Sequence, residues 1–131
     1  MAVLISAGAL SAADIAMSAD GDLDLTFGGA GTVTTDVSTR EDRPQGVVLQ
    51  ADGKIVVAGH CQNVVSRTDF CVARYDGAGS LDPTFDGDGL VMTDFGGGAE
   101  EEAFGVAMDT GGRIILTGQC RIGFTGFAYD F

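Results

Sequence analysis

Short apolar runs separated by polar turn residues are the main pattern of this chain. In GVVLQADGKIVVAG (46–59), two apolar runs flank Asp52-Gly53. Asp and Gly tolerate the positive φ angles of tight turns, so this pattern predicts a β-hairpin. The pattern returns as GVAMDTGGRIILTG (105–118), with Gly111-Gly112 at the turn. The sequence therefore predicts one hairpin unit that is used twice.

The segment before each hairpin repeats as well. GDLDLTFGGAGTVTTDV begins at Gly21 and GSLDPTFDGDGLVMTDF at Gly79, with identical residues 58 positions apart. A period near 60 residues indicates an internal repeat, which we place at 21–78 and 79–131, the second copy being truncated at its end. No clear amphipathic helix is present, so the predicted fold is all-β.

Each copy is predicted to form a four-stranded antiparallel sheet. A strand at about 32–37 is followed by the hairpin and by a last strand at 70–75. The hairpin strands are apolar on both faces, which is typical of sheets that are covered on both sides. Sheets stacked around an axis, as in the blades of a β-propeller, satisfy this condition.

The repeated LDxTF and DGKIVVAG signatures, with DFCVARYDGAGSLDPTF between them, resemble the delta-60 repeat. The resemblance covers about 21–118 and implies a β-propeller-like fold in exported bacterial proteins, without known catalytic residues. The chain departs from the repeat in two segments. DIAMSAD (14–20) is at best a decayed last strand of a preceding copy, and the second copy finishes as GFTGFAYDF. About two blades remain, whereas a closed propeller has four to eight. The ring is therefore expected to be incomplete unless chains assemble or the sequence belongs to a longer protein.

The first twenty residues allow two interpretations. MAVLISAGALSAAD is apolar and rich in small residues, like the core and cleavage region of a signal peptide without its basic leading segment. The alternative for 1–20 is a strand of a preceding blade. The apolar run is too short to span a membrane.

The chain is strongly acidic, with 19 Asp and Glu against 7 Lys and Arg and a net charge of −12. This charge repels phosphate groups and anionic lipids, so neither nucleic-acid binding nor docking on anionic lipid is expected. Membrane insertion is not expected either, since the apolar run is short. The expected partners are other copies of the chain or further repeats, and possible extracellular ligands are proteins or glycans.

Three cysteines allow one disulfide. Cys61 ends a hairpin strand and Cys71 lies in the next strand, so antiparallel pairing would bring the two thiols together. A bridge over this short loop would stabilise the fold by about 3 kcal/mol in the chain-entropy model and would agree with export. Cys120 would then be a free thiol or an inter-chain partner. The alternative is that all three are small buried hydrophobic residues.

Acidic residues alternate with glycine in two segments. Asp20, Asp22, Asp24, Asp86 and Asp88 are weak candidates for Ca²⁺ binding, since carboxylates at alternate positions suit this ion. The alternative is turn formation, in which Asp accepts backbone N–H bonds. The repeated pairs Asp24/Thr26 and Asp82/Thr84 predict such turns at blade corners.

The sequence contains no known catalytic motif. His60, the single histidine, is expected to be hydrogen-bonded or to face solvent. We therefore predict a non-catalytic, secreted, periplasmic or cell-surface binding, scaffold or assembly module without a required cofactor. Two alternatives remain. One is a Ca²⁺-dependent adhesion module, and the other is a glycan-active enzyme whose candidate acids are Asp42, Asp69 and Glu101.

Overall fold

The computed structural model describes residues 2–5, 21–62, 67–96, 98–121 and 129–130. This part of the chain contains nine strands and a short 3₁₀ turn at Phe27–Gly29. The strands are β1 (Ala2–Ile5), β2 (Thr32–Thr35), β3 (Asp42–Leu49), β4 (Ile55–Gln62), β5 (Thr68–Tyr75), β6 (Leu90–Thr93), β7 (Glu100–Met108), β8 (Ile114–Arg121) and β9 (Tyr129–Asp130). They form three antiparallel sheets, β1-β2, β3-β4-β5-β6 and β7-β8-β9, which are open and propeller-like as predicted. No helix within the described segments is long and apolar enough to cross a bilayer.

The four-stranded sheet, called blade 1, takes its last strand from the second copy. β6 pairs with β5, with Ala73 opposite Leu90 and Phe70 opposite Thr93. The expectation that β2 completes this sheet is wrong, because β2 pairs with β1 instead. Each sheet is therefore offset from the sequence repeat by one strand.

The LDPTFDGDG turn explains this offset. It folds back along β5, where the Arg74 N–H donates to the Gly89 carbonyl and the Asp82 N–H donates to the Arg74 carbonyl, both at 2.8 Å. Tyr75 and Leu81 form a further antiparallel bridge. The turn thus places β6 next to β5, before the chain enters the following sheet.

The strand β1 occupies the same position relative to β2 as β5 does relative to β6. Ala2 pairs with Thr35 as Phe70 pairs with Thr93. The predicted decayed strand at 14–20 lies outside the described residues, as does most of the predicted signal-peptide segment.

Each hairpin closes through a three-residue loop instead of a two-residue turn. The Gly53 N–H donates to the Gln50 carbonyl at 3.0 Å, and the Gln50 N–H donates to the Lys54 carbonyl at 2.8 Å. Only glycine takes the positive φ here, +84° at Gly53 and +80° at Gly112 in the second loop. This is the three-residue hairpin with glycine in the left-handed region.

A β-bulge distorts the strand that opens each hairpin. The register of β3 shifts between Pro44 and Gly46, and that of β7 shifts between Ala103 and Gly105. Gly59 and Gly118 lie opposite these bulges, where a Cβ atom would overlap the carbonyl oxygen of the facing strand. The glycines that end the two hairpin motifs are therefore required by the close approach of the strands.

Blade 1 packs face to face on the β7-β8-β9 sheet, called blade 2. Of the two faces of blade 1, the rear face carries Val48, Val56, Ala58 and Val72 and meets blade 2. The front face of each blade carries the alternate positions, which are Val47, Leu49, Ile55 and Val57 in blade 1 and Val106, Met108, Ile114 and Leu116 in blade 2. Val106, Ile114 and Leu116 of the blade 2 front face pack against this rear face and complete the core between the blades.

Candidate functional site

Three carboxylates from different elements converge at the seam between the two blades. Asp69 lies at the start of β5, Asp94 follows β6, and Glu101 lies at the start of β7. One oxygen from each residue lies within 4.8 Å of the others. In the described part of the chain, this is the one group of three acidic, histidine or cysteine side chains with ligand atoms so close together.

Glu101 is the centre of this acidic cluster. Its side chain is fully buried, with 0% exposure. Oε1 accepts a hydrogen bond from the Phe95 N–H at 2.9 Å, whereas the buried Oε2 has no hydrogen-bond partner. Burial raises the pKa of Glu101, and the negative charges of Asp94 and Asp69 raise it further. The carboxylate is therefore compensated at Oε1 and not at Oε2.

The other two acids differ in exposure. Asp69 is buried, with 6% exposure, whereas Asp94 is open to solvent. Asp94 Oδ1 accepts a hydrogen bond from the Gly96 N–H at 2.6 Å, so this residue also shapes the connection between the blades. The cluster thus has one side that solvent or an ion can reach.

The equivalent position in the first copy carries an acid whose two oxygens both have hydrogen-bond donors. Asp42 faces Cys61 in the strand register as Glu101 faces Cys120. The Asp42 carboxylate accepts from the Val37 N–H at 2.9 Å and from the Ser38 N–H at 3.1 Å. Burial opposes ionisation of Asp42, but the hydrogen bonds from Ser38 and Val37 keep its pKa below the usual value.

The cysteines follow the predicted arrangement in part. Cys61 and Cys71 form a disulfide, with their Cα atoms 5.8 Å apart. They are diagonal neighbours, because Gly59 lies directly opposite Cys71. Cys120 is half-buried, and its Sγ lies 3.9 Å from Glu101 Oε1. Whether Cys120 bonds to another chain stays a prediction.

A second acidic centre lies at the corner of blade 1. Asp82 Oδ1 accepts from the Thr84 N–H at 3.0 Å and from the Thr84 hydroxyl at 2.7 Å. Oδ2 lies 2.8 Å from Arg74 Nε and 3.2 Å from Lys54 Nζ. These hydrogen bonds from Thr84, with the Lys54 and Arg74 charges, lower the pKa of Asp82 to about 2. The predicted Asp–Thr corner turn is confirmed.

The same turn recurs in the first copy, where the Asp24 carboxylate accepts from the Thr26 N–H at 3.0 Å and from its hydroxyl at 2.6 Å. These Thr26 hydrogen bonds lower the pKa of Asp24. Phe27, which follows this turn, is buried, and the Arg74 guanidinium lies 4.6 Å from the centre of the Phe85 ring in the second copy.

The weak calcium candidates lie in turns. Asp88 accepts the Leu90 N–H at 2.9 Å, and Asp86 has a φ of +52°, the one positive φ among the described non-glycine residues. Asp22 is exposed, and Asp20 lies outside the described residues. The observed contacts of Asp24 and Asp88 are those of turn formation, and calcium binding at these five acids stays a prediction.

His60 differs from its expectation. It is buried, with 5% exposure, and its Nδ1 has no hydrogen-bond partner. Of the enzyme candidates, Asp69 and Glu101 meet in the acidic cluster, whereas Asp42 belongs to the equivalent position in the first copy. Asp94 completes the cluster and was not among the candidates, because Asp36 repeats it in the first copy and a repeated acid indicates a structural role.

Comparison with known proteins agrees with the fold. Residues 50–85 match a family model described as a domain of unknown function (DUF5122), beta-propeller. That family is a delta-60-like repeat family, and its match covers the second strand of the first hairpin, β5 and the LDPTF turn. No curated protein and no solved structure was found to match the chain.

Proposed function

We propose that this chain is a non-catalytic, exported assembly module whose blades bind further copies of the same chain, head to tail. The single observation that carries the proposal is the difference in burial between Val56 and Ile115. Both residues occupy the same position in the repeat, as the second residue of the second hairpin strand. Val56 is 0% exposed because blade 2 covers it, whereas Ile115 is 46% exposed. The rear face of blade 2 is therefore uncovered at a position that is buried in blade 1.

The front face of blade 1 shows the complementary difference. In blade 2, the front-face residues Val106 and Leu116 pack against the core of blade 1. Their equivalents in blade 1 include Val47, which is 55% exposed, and Leu49, adjacent on the same face, is 73% exposed. An isolated exposed apolar side chain needs no explanation, but equivalent faces left open at both ends indicate missing neighbours.

These two open faces fit each other because the contact between blade 1 and blade 2 already joins the same two surfaces. A rear face of one copy would meet the front face of the next, which is a heterologous contact. Such contacts form rings when the rotation closes and filaments when it does not.

The strand inventory supports the same arrangement. In the described residues, blade 2 has two long strands, β7 and β8, and only the two-residue β9. The β1-β2 sheet corresponds to the two outer strands of a blade, since β1 and β2 pair like β5 and β6. A neighbouring copy could therefore complete blade 2 with its β1-β2 sheet. Each chain would contribute about two blades, so about two to four chains would close a ring.

Export and the lack of catalysis belong to the same proposal. The Cys61–Cys71 disulfide is typical of an oxidising compartment. The convergence of Asp69 and Glu101, with the raised pKa of Glu101, is the observation that favours a glycan-active enzyme as the second candidate. However, a fully buried Glu101 offers no surface that a sugar could contact. Assembly therefore explains more of the described structure.

The particle mass in solution tests the proposal. Light scattering after size exclusion would be recorded over a range of concentrations under oxidising conditions. The test variants are Ile115→Lys on the rear face and Val47→Lys on the front face. The control is Thr110→Lys, which adds the same charge at an exposed hairpin loop. We expect wild type and Thr110→Lys to form oligomers and each face variant to remain monomeric.

Mixing the two face variants gives a sharper result. Ile115→Lys keeps an intact front face, and Val47→Lys keeps an intact rear face, so a head-to-tail contact predicts one heterodimer and no larger species. A symmetric contact would instead leave one variant dimeric by itself. A cooperatively melting wild-type monomer at all concentrations would contradict the assembly proposal.

A further inference from the structure

The oxygens of the acidic cluster are close enough to share one cation. One oxygen each from Asp69, Asp94 and Glu101 lies within 4.8 Å of the others. Ca²⁺ binds six to eight oxygens at about 2.3–2.6 Å and is commonly held by several protein carboxylates, whereas Mg²⁺ usually keeps most of its water and takes only one or two. Three converging carboxylates therefore favour calcium.

The buried Glu101 carboxylate gives a second, independent indication of a ligand. Its Oε2 has no hydrogen-bond partner, and the side chain has no exposed surface. A buried carboxylate oxygen without a donor is costly unless a cation or a proton compensates it. In this cluster, two further carboxylates add negative charge where a donor would be expected.

The fold does not require this arrangement. At the equivalent seam of the first copy, Asp42 is directed to backbone N–H groups of residues 37 and 38. Asp36 of the first copy corresponds to Asp94, and Asp42 corresponds to Glu101. The first copy therefore uses its acid at the Glu101 position as a cap of the backbone. Glu101 differs from it by the longer side chain and by an oxygen that has no hydrogen-bond partner.

We infer that Asp69, Asp94 and Glu101 bind a hard divalent cation, Ca²⁺ by its preference for several carboxylate ligands, which clamps β5 and β6 of blade 1 to β7 of blade 2. Water and backbone carbonyl groups would supply the remaining ligands of a six- to eight-coordinate ion. Cys120 is adjacent to Glu101, but a soft thiol is a poor calcium ligand. All three acids belong to one chain, so this site is independent of the proposed assembly.

Calcium titration of the whole chain tests the inference. Binding would be measured by isothermal titration calorimetry and melting by circular dichroism. The CaCl₂ concentration would range from 0 to about 10 mM at constant ionic strength, which covers the dissociation constants of extracellular calcium modules. The variants are Glu101→Gln, which keeps the shape of the side chain, and Asp94→Asn, which keeps an oxygen to accept the Gly96 N–H. The control is Glu100→Gln, because Glu100 is the exposed neighbour on the same strand.

We expect one saturable site in wild type and in Glu100→Gln, with an increase of several degrees in the melting temperature. Glu101→Gln and Asp94→Asn should each weaken calcium binding at least about tenfold, as expected for the loss of one charged ligand of three. Asp94 is exposed, so its variant keeps the test valid if Glu101→Gln does not fold. Mg²⁺ should produce a smaller increase than Ca²⁺.

Two results would overturn the inference. In the first, neither binding heat nor a change in melting temperature appears at the highest calcium concentration, which would mean that a proton compensates Glu101 instead. In the second, Glu100→Gln weakens binding as much as Glu101→Gln, which would indicate only diffuse attraction of cations to an acidic surface.

Discussion

The close approach of strands at Gly118 makes this residue sensitive to the smallest possible substitution. In Gly118→Ala, the new Cβ would overlap the Glu102 carbonyl oxygen and lie 2.5 Å from Phe70 Cζ and 2.8 Å from Ala103 Cα. Carbon atoms in contact are normally about 3.5–4.0 Å apart, so β7 and β8 must separate by roughly 1 Å. The backbone cannot rotate away as a flexible side chain would.

The magnitude follows from the contacts that must move. Overpacking of a filled core costs about 1–3 kcal/mol. Loss of about two ladder hydrogen bonds near the bulge adds about 1 kcal/mol each. We therefore expect Gly118→Ala to lower the free energy of unfolding by about 3–5 kcal/mol. For a chain of 131 residues, this corresponds to a decrease in melting temperature of about 10–18 °C.

Thermal unfolding followed by circular dichroism measures this effect. Gly111→Ala is the matched control, because Gly111 lies in a hairpin loop without a positive φ and its nearest neighbour is an Asp109 side-chain oxygen at 3.3 Å. The control should change the melting temperature by no more than about 2 °C, as surface substitutions usually do. A melting temperature of Gly118→Ala within 3 °C of wild type would refute the reasoning about the bulge.

Two further predictions concern the disulfide and the corner of blade 1. Reduction of the Cys61–Cys71 bridge, which spans 10 residues, should lower the free energy of unfolding by about 2.7 kcal/mol in the chain-entropy model. Melting curves with and without reductant measure this loss, and the melting temperature of a variant with both cysteines replaced by alanine should not change with reductant. The folded-state pKa of Asp82 is lowered to about 2 from its ordinary value of 3.8, so its stabilising effect is present above about pH 4 and is lost as the pH falls towards 2. Asp82→Asn should lower the melting temperature at pH 7 and reduce its loss between pH 4 and pH 2, whereas a wild-type acid dependence would contradict this role. The control is Asp86→Asn, at an exposed acid of the same turn.

The local elements of the fold could be predicted from the sequence because their signals are local. Apolar runs around Asp52-Gly53 and Gly111-Gly112 specify the hairpins, and the repeated Asp and Thr of the LDxTF motif specify the corner turns. The pairing partner of β2 could not be predicted in the same way. An edge strand such as β2 carries the same apolar pattern whichever neighbour it joins, so the path of the preceding turn decides the pairing.

The sequence identified two acids of the cluster as candidates but did not predict that they lie close together. Asp69 and Glu101 were candidates because they are not matched by an identical residue in the other copy, but 32 positions separate them in the sequence. They meet only because blade 1 stacks on blade 2, and stacking is a property of the whole fold. The burial of His60 and the bulges opposite Gly59 and Gly118 also depend on neighbouring strands and leave no local signal.

The one-strand offset between sheets and repeats also determines how this chain could be divided. A cut at the repeat boundary, between Gly77 and Gly79, would remove β6 from blade 1 and expose the edge of β5. A cut after Thr93 would instead preserve the complete four-stranded sheet. The unit that repeats in the sequence and the unit that forms a sheet are thus different segments of this polypeptide, and the first copy depends on the second for its fourth strand.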